Sequence, residues 1–315
     1  MLIPALMFLL MVTVNSFHLF SEGIPTWQSI RQEWERMLDD AAYPQGFVPG
    51  EASVHYPDVG QGNCILIKSG GHAALIDAGE TDRGRDVLEY LRLQKVERLD
   101  YVIASHPHSD HIGGLAEVLR SLPVDTLILP DTSDAPRGDD GEYDAECYEQ
   151  LLQAAAETGC RQITAEHGAE YPLGGGTLTV LGGFTFFDDW NNRSLAVRFS
   201  YGGTAFLSTG DMEQEAEWAL LFSGAELSAD VMAAGHHGSK DANTQELLTT
   251  VDPEYYVVQS GYANVYRHPA QEALSRMEQQ GGQVLRNDVS ANIAFATDGQ
   301  TLSLFLQKNP GEYLR

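Results

Sequence analysis

The sequence predicts an α/β fold in which two mixed β-sheets carry helices on their outer faces. From Ala52 onward, short apolar runs of strand length alternate with helical patterns, and this alternation is typical of α/β folds. The chain has 315 residues, of which 43% are hydrophobic, so it is long and apolar enough to bury a large core. We expect the functional residues on loops at the strand ends, where such folds gather their sites.

The first half of the predicted domain begins with strands and then alternates. Three short apolar runs, VHYPDV, CILIKS and AALIDAG, are separated by turn-forming residues that include a glycine pair, which favours hairpins. DVLEYLRLQ then predicts a helix, DYVIAS a strand, IGGLAEVLRSL a helix and DTLILP a strand. The polar stretch SHPHSDH therefore falls on a loop between a strand and a helix.

The second half continues the alternation after an acidic surface loop that follows Pro130. A helix over CYEQLLQAAAETGC precedes the strands TLTVLG, LAVRFSY and TAFLSTG. The last third predicts, in order, strand ADVMAAG, helix TQELLTT, strand YYVVQSG, helix AQEALSRMEQQ and strands NIAFAT and LSLFLQ. No composition shift divides this pattern, so we interpret residues 51–315 as one domain.

Two segments precede that domain. Residues 1–23 contain the apolar run Leu2–Val14, which has the length of a signal-peptide core and is shorter than a membrane span. They predict a signal-like or membrane-tethering segment and hence a secreted or membrane-tethered protein, although no Lys or Arg precedes Arg31. A cytoplasmic protein is the alternative. Residues 24–50 carry large apolar side chains at helical spacing and predict an N-terminal helical extension.

The overall charge restricts the class of partner. Lys and Arg number 19 against 45 Asp and Glu, which gives a formal net charge of −26. So acidic a surface disfavours nucleic-acid binding through many phosphate contacts. A small or oligomeric phosphoester bound at one local anion site is the better match to this charge, with nucleic acid as the disfavoured alternative. The sequence indicates no transmembrane channel and carries no signal of oligomeric state.

The stretch SHPHSDHIGGL, residues 105–115, concentrates metal-ligand chemistry. His106, His108, Asp110 and His111 fall within six positions. Two imidazoles two residues apart in an extended loop can face one point, while the Asp–His pair at the following helix start can face another. This spacing predicts two adjacent divalent metal ions, and the ligand types suit Zn, Mn or Fe equally. A helix-capping loop with incidental histidines is the weaker alternative.

The same stretch carries a family resemblance. HPHSDH matches the H-x-H-x-D-H signature of the metallo-β-lactamase fold superfamily, and other segments resemble the branch that contains the hydrolase domain of the ComEC DNA-uptake proteins. These segments are DVGQGN (58–63), LIDAG (75–79), NNRSLAVRF (191–199), LSTGD (207–211), GHHGSKDAN (235–243) and SGYANVYRHP (260–269). The resemblance covers about residues 52–306 and implies an αββα sandwich with a metal centre at one edge between the sheets.

The resemblance also implies roles for individual residues. The metal ligands that it implies are His106 and His108 for the first ion, Asp110 and His111 for the second, Asp211 as a bridge between them, and His236 to complete the second position. His237 is the alternative to His236, because sequence does not tell which of two adjacent imidazoles points inward. Asp77 matches an early aspartate of the family that orients a ligand histidine.

The sequence departs from the family pattern in two places. Many superfamily members supply a further histidine between the main motif and the bridging aspartate, but here that region offers NNRS and the distant His167, which we interpret as a surface or core histidine. We therefore expect the first ion to be held by two histidines, Asp211 and either water or Asn192. Asn63 also stands where the ComEC branch commonly has Asp.

A centre of this kind implies a hydrolase that attacks its substrate with metal-activated water. We expect Asp110, Asp211 and His268 to be catalytic. The residues expected to supply donors and positive charge for a phosphate are Ser239, Lys240, Asn264, Arg267 and His268. The alternative is that Lys240 and Arg267 are solvated surface cations and that His268 caps the segment before Pro269. Hydrolysis of a phosphodiester or related phosphoester is the resulting prediction. The alternatives are a lactonase or amide hydrolase with the same two metals, and a noncatalytic binding protein on this scaffold, which the absent mid-chain histidine keeps open.

Overall fold

The computed structural model describes Val48, residues 50–133 and residues 145–308. Apart from Val48 and Gly50, the signal-like segment 1–23 and the helical extension 24–50 lie outside these residues, so both assignments and the domain boundary at residue 51 stay predictions. Within the described ranges, no helix combines the length and the apolar character needed to cross a membrane.

The described residues form fifteen strands and eight α-helices. The strands are β1 (Ala52–Tyr56), β2 (Ile65–Ser69), β3 (His72–Ile76), β4 (Leu99–Ile103), β5 (Val124–Leu129), β6 (Arg161–Thr164), β7 (Glu170–Leu173), β8 (Gly176–Val180), β9 (Val197–Tyr201), β10 (Thr204–Ser208), β11 (Val231–Ala233), β12 (Tyr255–Val258), β13 (Gln283–Arg286), β14 (Ile293–Thr297) and β15 (Leu302–Leu306). The helices are α1 (Gly84–Leu93), α2 (Ser109–Ile112), α3 (Leu115–Ser121), α4 (Ala145–Thr158), α5 (Gln214–Phe222), α6 (Gln245–Val251), α7 (Gln271–Gln280) and α8 (Asn287–Ser290). A 3₁₀ turn, Gly235–Gly238, follows β11.

The strands assemble into two mixed sheets, as predicted. The first has the order β15-β14-β1-β2-β3-β4-β5-β6 and the second the order β13-β12-β11-β10-β9-β8-β7. Each sheet has a parallel half, β3 to β6 in the first and β10 to β13 in the second, beside an antiparallel half. Parallel neighbours end at the same edge, so the loops that follow β3, β4, β10 and β11 are brought to the sheet ends where a site is expected.

The sandwich buries both faces of each sheet. Ile76 and Ile103 of the first sheet pack with Phe206 and Val257 of the second in a core between the sheets. Successive residues of a strand point to opposite faces, so Leu75 lies on the other face of the first sheet, in a cluster with residues of α1, α3 and α4. An equivalent cluster joins the second sheet to α5, α6 and α7. The helix–sheet–sheet–helix layering implied by the sequence is therefore confirmed.

The elements absent from the prediction include the three short edge strands β6, β7 and β13. The sequences RQIT, EYPL and QVLR are short and largely exposed or half-buried, so they lack the apolar run that marks a central strand. Polar residues and a proline at sheet edges also reduce edge-to-edge association. Helix α5 was not predicted either. The segment IGGLAEVLRSL is not one helix, because it divides at Gly113 and Gly114 into α2 and α3.

Candidate metal centre

Strand ends from both sheets converge at one edge of the sandwich. Asp77 follows β3, and its backbone nitrogen donates a hydrogen bond to the carbonyl of Ile103 in β4 (3.0 Å). In the second sheet, Asp211 follows β10, and His237 lies in the 3₁₀ turn after β11. The parallel pairing of β3 with β4 and of β10 with β11 thus places titratable side chains from four loops side by side.

Two glycines let the HPHSDH segment pack against the loop after β3. A Cβ on Gly113 would lie 2.2 Å from the backbone nitrogen of Thr81, and a Cβ on Gly114 would lie 2.4 Å from the carbonyl oxygen of Ala78. Real Cβ atoms essentially never approach another heavy atom within 3.0 Å. Both positions therefore require glycine for the close approach rather than for a positive φ.

Asp77 anchors this part of the site although it is fully buried. Its Oδ1 accepts a hydrogen bond from the backbone nitrogen of Ser105 (2.8 Å), and its Oδ2 accepts one from the Ser105 hydroxyl (2.7 Å). Oδ2 also lies 2.8 Å from Nδ1 of His111 and 2.9 Å from Nδ2 of Asn63. A proton held on Nδ1 leaves Nε2 of His111 as the ring atom that can bind a metal ion. This geometry suits the orienting role expected of Asp77.

The centre of the site is a buried cluster around Asp211. Its Oδ1 is 3.2 Å from Nε2 of His111, and its Oδ2 is 3.4 Å from Nε2 of His237. Nε2 of His237 is also 3.2 Å from Oδ2 of Asp110. Two overlapping trios have donor atoms close enough to share an ion, His106 with His111 and Asp211, and Asp110 with His111 and His237.

The two leading histidines of the motif face each other. Nε2 of His106 lies 2.9 Å from Nδ1 of His108 and 4.0 Å from Oδ2 of Asp211. His108 belongs to neither trio, and its Nε2 is buried without a hydrogen-bond partner among the described residues. Buried polar atoms nearly always have a partner, so an orphaned imidazole nitrogen beside this cluster fits a ligand atom.

His237, rather than His236, joins the cluster, so the expectation that His236 completes the second position does not match the geometry. Both residues have left-handed backbone conformations, with φ of 47° and 53°, and their rings diverge. The carbonyl of Gln259 holds Nδ1 of His237 (2.9 Å), whereas Nδ1 of His236 faces Glu213 (3.1 Å). His236 remains beside the cluster, with Nε2 3.7 Å from Oδ2 of Asp211.

Ser194, rather than Asn192, contacts the cluster. The side chain of Asn192 instead binds Asp189 (2.9 Å) and the backbone nitrogen of Glu213 (3.0 Å), so it holds the loop together. The hydroxyl of Ser194 lies 3.2 Å from Nδ1 of His106 and accepts a hydrogen bond from the backbone nitrogen of Asp211 (3.0 Å). Both residues lie in NNRS, and no local pattern distinguishes them. His167 is exposed in the loop between β6 and β7, as expected of a histidine outside the site.

Two expected phosphate-binding residues after the 3₁₀ turn differ in burial. Ser239 is buried, and its hydroxyl accepts a hydrogen bond from the backbone nitrogen of Asp241 (3.2 Å). Its role in the described structure is therefore to shape the turn. Lys240 is exposed, with Nζ 3.9 Å from the Asp241 carboxylate, so its ammonium group is accessible to an anion in solvent.

His268 lies at the rim of the cluster. Its ring centroid is 5.4 Å from that of His236 and 6.4 Å from that of His237. Burial, and then the charges of these two histidines, lower the pKa of His268 to about 4, so its imidazole is neutral near pH 7 and does not add positive charge for a phosphate. Arg267 is exposed, and Asn264 spans the loop that carries both residues.

The cluster is strongly polarised. Burial alone would raise the pKa of Asp211 and lower that of His111, but the attraction between them dominates and moves both pKa values the opposite way. Burial alone would also lower the pKa of His237, but the carboxylates of Asp211 and Asp110 oppose it and raise the pKa to about 10. Burial holds the pKa of His106 well below its usual value. The buried carboxylates of Asp110 and Asp211 therefore stabilise positive charge at this site.

The donor set fits divalent metal ions. Nδ1 of His111 faces Asp77 and Nδ1 of His237 faces the Gln259 carbonyl, so their Nε2 atoms face each other at 3.3 Å. A divalent ion that displaced the Nε2 protons would be bound by both rings and would neutralise the neighbouring carboxylates. Two ligand atoms about 2 Å from one tetrahedral ion lie roughly 3.3 Å apart, which matches the spacing among His111, His237 and the carboxylates. Imidazole and carboxylate ligands do not choose among Zn, Mn and Fe.

The chain is similar in sequence to curated competence proteins. The chain is 31% identical to "Competence protein ComA" of Neisseria gonorrhoeae over 80% of this chain and 33% of that protein. It is 28% identical to "ComE operon protein 3" of Bacillus subtilis (strain 168) over 78% of this chain and 33% of that protein. The chain therefore spans about a third of the length of these relatives, and the predicted resemblance to competence proteins is confirmed.

The fold and the family are also shown. The metallo-β-lactamase fold protein YhfI from Bacillus subtilis superposes with a TM-score of 0.52 at 16% identity, covering 75% of this chain and 96% of that one. At that identity the likeness shows the fold alone. The family model described as the metallo-beta-lactamase superfamily matches residues 57–261, which include every residue of both ligand trios. The chain belongs to the metallo-β-lactamase superfamily.

Proposed function

We propose that this protein is a metal-dependent hydrolase whose substrate is a phosphodiester or a related small phosphoester. The observation that carries the proposal is the position of Asp211 between the two ligand trios. Its Oδ1 lies 3.2 Å from Nε2 of His111, which belongs to both trios, and its Oδ2 lies 3.4 Å from Nε2 of His237, which belongs to the other trio. A carboxylate placed in this way suits two adjacent metal ions, and two-metal sites act on phosphoesters and related substrates.

In this proposal six side chains hold the two ions: His106, His108, Asp110, His111, Asp211 and His237. What divalent ions supply at such a centre is an activated water and neutralisation of the charge that develops on the substrate oxygen. Asp77 and the Gln259 carbonyl keep protons on Nδ1 of His111 and His237, which leaves each Nε2 free to bind. The carboxylates of Asp110 and Asp211 are the acceptors placed to orient the attacking water.

The charge distribution supports a phosphoester over a neutral substrate. In a chain of net charge −26, the exposed cations Lys240 and Arg267 both follow strands that end at the site, β11 and β12. Positive groups beside a metal centre suit an anionic group. The acidic surface repels long polyanions, so a short phosphoester is the preferred substrate.

A substrate panel tests the proposal. Purified protein supplied with Zn or Mn is offered methyl p-nitrophenyl phosphate, the neutral ester p-nitrophenyl acetate and a γ-lactone, with Asp211→Asn as the control against a contaminating enzyme. We expect metal-dependent release of p-nitrophenol from the phosphodiester, and its loss in the variant. Turnover of the lactone alone would instead support the lactonase alternative, and metal-free, inactive protein would support a noncatalytic binding role.

A further inference from the structure

The loop Gly261–His268, here called the aromatic loop, exposes large apolar side chains to solvent. Val265 is 87% exposed, Tyr262 86% and Tyr266 65%. These are three of the six exposed large hydrophobic residues in the described part of the chain. Apolar side chains concentrated on one loop mark a binding surface rather than the scattered exposure that is ordinary on proteins.

This surface begins at the metal centre. The ring of His268 is nearly parallel to that of the candidate ligand His237, with an angle of 28° and centroids 6.4 Å apart. The ring of Tyr266 is nearly parallel to that of His268, with an angle of 29° and centroids 5.9 Å apart. Tyr266 is therefore two ring contacts from the cluster, on the solvent side. A group stacked there could belong to a substrate whose reacting atom lies at the metals.

The aromatic loop is held in a fixed conformation. The Asn264 amide nitrogen donates to the carbonyls of Gly261 (2.8 Å) and His268 (2.5 Å), and its oxygen accepts from the backbone nitrogen of His268 (3.0 Å). Ala263 and Arg267 adopt left-handed backbone conformations, with φ of 53° and 61°. Such conformations cost roughly 1–3 kcal/mol each and persist where surrounding contacts enforce them.

Hydrogen bonds at its two ends keep the aromatic loop in one conformation before a ligand binds. Asn264 ties together the two ends of the loop, and Gly261 is held by Gln61 through a hydrogen bond of 3.2 Å between the glycine nitrogen and Oε1. The tyrosines are thus presented outward by a framework that is formed before any ligand arrives. A rigid presenting loop lowers the entropy cost of binding.

We propose that the aromatic loop is a subsite for an unpaired nucleobase attached to the scissile phosphodiester, with the base stacking on Tyr266 and Tyr262. This inference rests on the proposed phosphodiesterase function. Aromatic side chains bind bases through their faces without reading sequence, and a base stacked inside a duplex offers no free face. Arg267 follows Tyr266 in the sequence, is exposed, and supplies positive charge on the same loop. The substrate class is therefore a nucleotide diester or a short single-stranded end, which suits the acidic surface.

A pair of substrates with the same leaving group tests the subsite. Thymidine 5′-(p-nitrophenyl phosphate) carries a base, and methyl p-nitrophenyl phosphate does not. We expect Tyr266→Ala and Tyr262→Ala to lower kcat/KM for the thymidine diester by roughly 5- to 100-fold, and to leave the methyl diester within about twofold. The loss should be in KM, because stacking is the same in the ground state and the transition state. Tyr266→Phe should retain the wild-type preference.

A matched control and a binding measurement complete the test. Phe222→Ala removes an aromatic ring that is 81% exposed on α5, and it should change neither substrate. Calorimetric titration of metal-loaded protein should show weaker binding of thymidine 5′-monophosphate to Tyr266→Ala, with binding of inorganic phosphate unchanged. Equal losses on both diesters, or no loss on either, would overturn the subsite. If the wild type hydrolyses neither diester, the proposed function fails, and the two titrations decide the subsite separately.

Discussion

Nδ1 of His111 lies 2.8 Å from Oδ2 of Asp77, and both side chains are fully buried. The carboxylate also binds the backbone and the hydroxyl of Ser105, the residue before His106. Asp77, which is not a candidate ligand, therefore fixes the ring of His111 and the backbone beside His106. Partners of this kind set the tautomer and the orientation of metal ligands, so Asp77 should influence a metal ion that it does not touch.

Replacing Asp77 tests that influence. Asp77→Asn keeps the shape but places an amide N–H₂ group where the carboxylate accepts, so the His111 ring loses its orienting acceptor. We expect metal affinity to fall by roughly 10- to 100-fold, measured by competition with a chromogenic chelator. Asp82→Asn, at a carboxylate that is 74% exposed on the neighbouring loop, is the control and should change nothing. Wild-type affinity in folded Asp77→Asn would contradict the orienting role.

The two adjacent histidines of GHHGS should behave differently. His237→Ala removes a member of a ligand trio and should cost about one metal equivalent per chain. His236→Ala should retain both equivalents, because His236 faces Glu213 and belongs to neither trio. Metal content by inductively coupled plasma mass spectrometry distinguishes the two. The reverse pattern would return the ligand role to His236.

The sequence predicts the first group of candidate ligands but not which of His236 and His237 joins them. HPHSDH places its ligands within six residues, so their proximity is local and could be predicted. The choice between His236 and His237 depends on two left-handed residues and on the distant Gln259 carbonyl, and a sequence pattern contains neither. Ser194 was missed for the same reason, since only the folded chain brings its hydroxyl to His106.

The fold, like the site, could be predicted only in part from the sequence. The central strands carry apolar runs that predict them, and the mixed sheets followed from their alternation with helices. The edge strands β6, β7 and β13 form through pairing with one neighbour, so their own sequences need little apolar character. The segments before residue 51 stay predictions, because almost all of them lie outside the described residues.

The exposed cations near the site should act on anionic substrates. Lys240→Ala and Arg267→Ala are each expected to raise KM for methyl p-nitrophenyl phosphate by roughly 3- to 10-fold, because each removes a charge available to the phosphate. Metal content should not change. Arg85→Ala removes a cation that is 87% exposed on α1 and serves as the matched control. If KM stays at its wild-type value in both site variants, the anion-binding role of these residues is wrong.

A buried histidine outside the site predicts how stability depends on pH. His55 is fully buried, with ring nitrogens 2.8 Å from the Ser53 hydroxyl and 3.0 Å from the Tyr90 hydroxyl. Burial, and then the charge of Lys68, lower its pKa to about 3, against an ordinary value near 6.5. Below about pH 6.5 the unfolded chain takes up a proton that the folded protein excludes, so stability falls with falling pH by about 1.4 kcal/mol per unit.

Urea unfolding of wild type and His55→Gln checks this dependence. The amide of Gln does not titrate, so the free energy of unfolding should fall by about 2 kcal/mol more in the wild type than in the variant between about pH 6.5 and pH 5. Other titrating groups cancel in this difference. Above pH 7 the two proteins should show parallel pH profiles. Parallel profiles at all pH values would mean that His55 is not buried in its neutral form.

In the proposed function, Asp211 joins two metal positions into one centre. The most direct measurement is the metal content of the wild type and of Asp211→Asn, each reconstituted with Zn or Mn and freed of excess metal. We predict about two ions per chain in the wild type and less than one in the variant, because the bridge contributes to both positions. Equal metal content in the two proteins, or none in the wild type, would contradict the claim.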